Sequence, residues 1–351
     1  MARLGAGQVT MSPVVPWFED FHVGDDFSDV PAVTITDGHG AIHQALFGDR
    51  LRLPLDHVLA GHVTGQQRAL VNPSLVCNMA IGQSTIASQR VMGNLFYRGL
   101  TLRLPVFVGD TLTTTTKVVG LRQNKPKEGR PASGMVALEI HVKNQDGGTV
   151  MLFWRCPMIP CLDPQAQTGH LDDFSFMPES IAPEALLGLM PDWDYSAFRD
   201  RVKGEHFADL RVAEQRAVTA RDTITLAPEL VRMTLNMAMT HTDAGRSVYG
   251  ERLVYGGHTI AMAAAQITRV LPNMMSILGW FKCDHLAPVF EQDIIESRVT
   301  IEGLLPGGSL QGAAPGASQG GVALLHVESF ACRHEQEQVK VLDWHLAALF
   351  A

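Results

Sequence analysis

The chain has 351 residues, 46% of them hydrophobic and 18% charged, which excludes a disordered or low-complexity protein and leaves room for two cores. Its formal net charge is -8, and Lys and Arg are scattered apart from a small cluster at Lys125, Lys127 and Arg130, so nucleic acid is not an expected partner. The N-terminus lacks a charged segment followed by an apolar core, and apolar stretches break well short of a membrane span; a soluble, cytoplasmic protein without membrane contact is expected.

In chain order, the first half opens with Phe18-Glu-Asp-Phe-His-Val-Gly-Asp25, followed by the β-branched run Ala32-Val-Thr-Ile-Thr-Asp37 and a short helix-like stretch. A longer apolar helix begins at Pro73-Ser74-Leu75, and Leu104-Pro-Val-Phe-Val-Gly-Asp110 reads as a strand ending in a turn. Alternating strands follow at Thr111 to Val119, Met135 to Lys143 and Thr149 to Pro157, where every second side chain can face the helix. Asp163 to Asp194 is rich in Pro and Asp, shows no sustained period and reads as a connection.

The same order then recurs. Phe207-Ala-Asp-Leu-Arg-Val-Ala-Glu214 begins 189 residues after Phe18, and Ala217-Val-Thr-Ala-Arg-Asp222 follows it. His258 of Gly256-Gly257-His258 stands 183 residues after Leu75, and Asp293 of Ala287-Pro-Val-Phe-Glu-Gln-Asp293 stands 183 after Asp110. Strands are expected at Ile294 to Gly303, Val322 to His334 and Val339 to Leu346, with Pro306 to Gly321 a surface loop rich in Gly, Pro and Ser. Near-constant offsets argue for duplication. Residues 1–162 and 199–351 are therefore read as two modules and 163–198 as their connection. One long helix and a run of antiparallel strands, done twice, predicts an α+β pseudo-dimer in which each sheet wraps a central helix. A homodimer of such pseudo-dimers is one assembly the pattern allows.

Five cysteines, Cys77, Cys156, Cys161, Cys283 and Cys332, form no CxxC pair, so neither a disulfide framework nor a zinc site is expected, and no cofactor is called for.

Phe18-Glu-Asp-Phe, Thr34-Ile-Thr-Asp-Gly38, Asn94-Leu95, Gly109-Asp110-Thr111, Gly120-Leu-Arg-Gln-Asn124 and Arg252-Leu-Val-Tyr-Gly-Gly-His258 fall in one order over nearly the whole chain. Together they resemble the MaoC-like hydratase family, and within it the double hot-dog mesaconyl-CoA hydratases, also called β-methylmalyl-CoA dehydratases. The resemblance implies a double hot-dog fold and a hydratase/dehydratase acting on an α,β-unsaturated coenzyme A thioester, with a branched dicarboxylyl group such as mesaconyl preferred. An (R)-specific medium-chain enoyl-CoA hydratase, a non-catalytic acyl-CoA-binding protein and a thioesterase on the same fold are the alternatives.

Single-module members of the family carry Gly-Asp-x-Asn-Pro-x-His. The first half keeps Gly48-Asp49, but Pro54 stands at the histidine position, or Asp56 if the loop is two residues longer, so this half is expected to be degenerate. In the second half Asn236, His241 and Asp243 keep the motif spacing with Asn in place of Asp, which sets the expected active site there.

Adding water to an enoyl thioester needs a base for the water, a proton for the α-carbon and stabilisation of an enolate-like oxygen. His241 is the candidate base and Asn236 the group that orients the water. The acid is open among Asp243, Asp49 brought across the pseudo-twofold, and His241 itself. Gly256 and Gly257 match the family's helix start, whose N–H groups point at the thioester carbonyl, with His258 a candidate substrate contact. Arg246 or Arg252 is the candidate partner of an acyl carboxylate. His285 either faces the acyl pocket or packs, and Met233, Met237, Met239 and Met262 either line a tunnel or fill the core.

Overall fold

The computed structural model describes residues 15–127, 129–308, 320–333 and 337–351. The first half runs β1 (Val33–Thr34), α1 (Asp37–Phe47), α2 (Arg52–Leu55), α3 (His57–Thr64), α4 (Pro73–Gln83), β2 (Gly93–Leu102), β3 (Thr111–Gln123), β4 (Ser133–Lys143) and β5 (Thr149–Pro160). Two short helices follow, α5 (Pro183–Leu187) and α6 (Tyr195–Arg201). The second half runs β6 (Gln215–Ala217), β7 (Asp222–Thr223), α7 (Ala227–Met233), α8 (Gly256–Val270), β8 (Met274–His285), β9 (Ile294–Pro306), β10 (Gly321–Arg333) and β11 (Glu337–Phe350).

All the strands join one antiparallel sheet in the order β1-β3-β4-β5-β2-β8-β11-β10-β9-β6, with β7 also pairing with β9. The halves meet where β2 pairs with β8, Tyr97 opposite Cys283 and Leu100 opposite Trp280. The central helices α4 and α8 pack against each other inside the curved sheet. Every residue of α4, and Gly257 through Thr268 of α8, is buried. Helix α4 starts as its sequence dictates: Pro73 takes the first position, where no N–H is needed, and the Asn72 side chain accepts from the Ser74 N–H at 2.8 Å.

Equivalent backbone bonds recur in both halves. The Ile35 N–H donates to the Asp110 carbonyl at 2.9 Å and Ile224 to Asp293 at 2.8 Å; Val71 donates to Val106 at 2.8 Å and Val254 to Val289 at 2.9 Å. The Asp110 carboxylate accepts from the Phe107 N–H at 2.8 Å, and Asp293 from Phe290 at 2.9 Å. These bonds fall at the offsets read from the sequence, which is the architecture of a double hot-dog.

Three expectations are adjusted. Residues 104–110 and 287–293 form no ladder strand: each ends in a turn, with Gly109 and Gln292 at positive φ, and among them only Phe107 forms a bridge, to Leu70, since Pro105 and Pro288 lack the N–H a ladder requires. The predicted strands extend further, β3 to Gln123, β9 to Pro306 and β11 to Phe350, while His334 and most of the Pro306 to Gly321 loop lie outside the described residues. The Pro- and Asp-rich connection carries α5 and α6, whose Leu186, Tyr195 and Phe198 are buried against Leu53, Leu59 and Met275; Tyr195 and Phe198, three apart, share one helical face.

Candidate active site

A cavity of about 230 Å³ lies at the seam between the halves. Its wall from the second half is the loop that follows α7, and the first half holds that loop in place. The Met237 N–H donates to Thr85 Oγ1 at 2.7 Å, and the Met239 N–H to the Gln89 carbonyl at 2.9 Å. At Gly82 on α4 a Cβ would stand 2.4 Å from the Thr234 carbonyl oxygen, so only glycine lets the loop approach so closely.

His241 closes this loop and lines the cavity, 9% exposed. Its Nδ1 lies 2.7 Å from the Leu253 carbonyl, and since a carbonyl only accepts, Nδ1 carries the proton and Nε2 keeps its lone pair. Burial pulls the imidazolium down to about 4; the Leu253 bond opposes this and the Arg155 charge adds to it. A second histidine, His285, enters from the end of β8 and packs edge-on to Tyr97 with ring centroids 5.8 Å apart. Burial lowers it too, to about 4, with Asp284 opposing and His241 adding.

Both histidines therefore stand neutral at pH 7. Gly256, the first residue of α8, lines the same cavity, and a Cβ there would lie 2.6 Å from His285 Nε2. At Gly257 a Cβ would meet Asn78 Oδ1 at 2.2 Å. Among the described residues no side chain caps α8, so the Gly256 and Gly257 N–H groups and the positive end of a 15-residue helix are offered at the cavity.

The other residues singled out from the sequence are distributed differently. Asn236 is buried behind the wall, where Oδ1 accepts from the Ala238 N–H at 2.9 Å and Nδ2 has no partner among the described residues. Asp243 is exposed and caps the next turn by accepting from the Gly245 N–H at 2.9 Å. Arg246 is exposed, 4.0 Å from Asp243, and Arg252 pairs with Glu291; neither lines the cavity.

His258 points away from the cavity, fully buried against Phe47 with ring centroids 4.9 Å apart. Asp49 belongs to a buried turn of the first half, accepting from the Leu51 N–H at 2.9 Å and the Asn72 amide at 2.7 Å. Met92 and Met158 line the cavity, whereas Met262 is in the core and Met237 is exposed.

Arg155 lines the cavity as well, from β5 of the first half, and only 2% of it is exposed. Its Nη2 donates to the Ser84 carbonyl at 2.9 Å and to Ser88 Oγ at 2.7 Å. The sequence carries a signal for it: in β5 the buried positions Met151, Phe153, Arg155 and Ile159 alternate, so a charge occupies an inward-facing position.

Among the described residues no Asp or Glu lines the cavity, and its ionisable groups are His241, His285, Arg155 and three tyrosines. This set can take and return a proton through imidazole and hold negative charge at Arg155 or the α8 start. Past Met92, Leu95, Met158 and Tyr249 the cavity continues into a groove of about 880 Å³, whose rim carries Lys125, Lys127 and Arg130. All three are exposed, and none pairs with a carboxylate among the described residues.

No protein-family model matches the chain. It is 30% identical over 310 residues to β-methylmalyl-CoA dehydratase of Chloroflexus aurantiacus, covering 83% of this chain and 84% of that one. It is 26% identical over 288 residues to mesaconyl-CoA hydratase of Cereibacter sphaeroides, covering 80% and 81%. Among solved structures, Rv0216 of Mycobacterium tuberculosis, described as a double hotdog fold, matches with a TM-score of 0.84 and 41% identity over 96% of this chain and 98% of that one.

Proposed function

We propose that this chain, which belongs to the MaoC-like double hot-dog family of hydratases and dehydratases, is a hydro-lyase that adds water to, and removes it from, α,β-unsaturated coenzyme A thioesters. The observation that carries the reading is His241: a buried imidazole that lines a cavity at an uncapped helix start, with its Nδ1–H held by the Leu253 carbonyl so that Nε2 keeps its lone pair.

In this reading Nε2 of His241 takes a proton from a water molecule as its oxygen bonds to the β-carbon. The π electrons move through the α-carbon onto the thioester oxygen, where the first-turn N–H groups of α8 stabilise the enolate. The imidazolium then gives its proton to the α-carbon, so one histidine acts first as base and then as acid. The depression of His241 to about 4 weakens the ring as a base but favours that return, since burial disfavours the imidazolium. His285, neutral and next to Gly256, is suited to orient the water or the carbonyl by hydrogen bonding.

A branched dicarboxylyl group such as mesaconyl is the proposed acyl portion, supported by the names of the relatives. The Lys125, Lys127 and Arg130 rim is suited to the phosphates of the coenzyme.

Loss of enoyl absorbance, followed with wild type and His241→Ala over a panel of enoyl-CoA esters, tests the reading. Hydration abolished by the substitution is expected; no hydration of any ester by wild type would sink it. Release of free coenzyme A thiol at a comparable rate would instead identify a thioesterase.

A further inference from the structure

We infer that Arg155 is the anchor for a carboxylate at the far end of the acyl group, making the pocket selective for dicarboxylyl over monocarboxylyl thioesters. A guanidinium stays charged at any physiological pH, and a charge removed from water without a counter-charge costs several kcal/mol. Arg155 is nevertheless 2% exposed, and no carboxylate of the described residues lies within ion-pair distance of it. Two donations from Nη2, to Ser84 and Ser88, fix the plane of the guanidinium, while Nε has no partner. The neighbouring strand supplies an internal comparison. Arg98, on β2 and 7% exposed, is paired with Asp284 at 2.5 Å, so this fold neutralises its other buried arginine from within the chain.

Arg155 lines the cavity, whose wall holds no Asp or Glu among the described residues, so its counter-charge is open to a ligand. A ligand that brings its own carboxylate completes the pair. Arg155 comes from the first half and His241 and Gly256 from the second, and all three line the one cavity, so a substrate whose thioester meets the α8 start can also bring a carboxylate to Arg155. The Ser84 and Ser88 bonds hold the guanidinium ready before the substrate arrives, which suits recognition of a planar carboxylate.

The inference rests on the hydratase reading only for the identity of the thioester, and two measurements keep the two apart. The first compares kcat/KM for mesaconyl-CoA and crotonyl-CoA, whose acyl group has no free carboxylate, in wild type, Arg155→Lys and Arg155→Met. In Arg155→Met the value for mesaconyl-CoA is expected to fall on the order of 100-fold, chiefly through KM, and the fall for crotonyl-CoA to be at least about ten times smaller. Arg155→Lys is expected to keep part of the preference. The ratio of the two substrates within one preparation is independent of how much of the variant is folded. Equal losses on both substrates would overturn the inference and make Arg155 a strut for the Ser84–Ser88 turn or a contact to the thioester oxygen.

The second measurement is calorimetric binding of two saturated, unreactive esters, methylsuccinyl-CoA and butyryl-CoA. Tighter binding of methylsuccinyl-CoA to wild type, lost in Arg155→Met, supports the anchor even if no enoyl ester is hydrated. Equal binding of the two esters to wild type refutes it even if hydration is observed.

Discussion

His258 is the residue on which sequence pattern and three-dimensional position diverge most, and His258→Leu separates a structural from a substrate-contacting role. It is fully buried, neither ring nitrogen has a partner among the described residues, and burial lowers its imidazolium from the ordinary 6.5 to about 3. Its counterpart in the first half, Leu75, fills the equivalent place at 1% exposure, so leucine fits such a helix position. A histidine lowered on folding binds more protons unfolded than folded; its contribution is intact above the unfolded value and is lost as pH falls toward the folded one. At pH 5, about 1.5 pH units below the ordinary value, unfolding gains on the order of 2 kcal/mol from this one residue. Urea unfolding at pH 7.5 and pH 5.0 should therefore show His258→Leu losing about 2 kcal/mol less than wild type between the two pH values. Hydration at pH 7.5 should be retained, because the ring faces Phe47 and not the cavity. An unchanged pH difference, or loss of hydration in a folded variant, would refute the placement.

The remaining outcomes concern the cavity and its approaches. His241→Gln should lower kcat by about 100-fold or more with little change in binding. Because burial holds His241 near 4, kcat/KM of wild type should stay nearly level from pH 7 to pH 5.5 and fall only below that, whereas a break near 6.5 would show an unburied base. Gly256→Ala places a Cβ 2.6 Å from His285 Nε2 and crowds the helix start, so kcat of the folded variant should fall; a wild-type kcat would remove the α8 start from the chemistry. Lys125→Glu/Lys127→Glu/Arg130→Glu should raise KM for coenzyme A esters and flatten its dependence on salt, but leave the corresponding pantetheine thioester unaffected. Equal effects on both thioesters would exclude a phosphate-binding rim.

The duplicated frame was legible because its signals are local and repeated: a buried helix, strands with alternating polarity, and turns ending in Asp110 and Asp293 at a fixed spacing. The strands that join the halves, β2 and β8, were not, because they lack clean polar alternation, and β2 is further interrupted by two register shifts in its pairing with β5. The sequence singles out His241 by its spacing from Asn236, a relation within one loop. Arg155 was missed because its significance depends on the seam: it stands 86 residues before His241, in the half without the motif. Arg246 and Arg252 were favoured for proximity in sequence, which in an exposed loop carries no information about which way a side chain points.

The two central helices differ most at their first residues, and capping chemistry gives that difference a physical meaning. Helix α4 satisfies its own start: Pro73 has no N–H to present, and the Asn72 side chain takes that of Ser74. In α8 the equivalent residues are Tyr255, Gly256 and Gly257; the Tyr255 hydroxyl bonds the Asn78 carbonyl instead of capping its helix. Leaving a helix start without a side-chain cap costs about 1 kcal/mol, and glycine at the first positions adds to that cost. Departures from local stability rules concentrate where a site is in use. On the proposed function, α8 forgoes its cap so that the thioester oxygen can serve as one, and α4, capped from within, has no group left to offer a substrate.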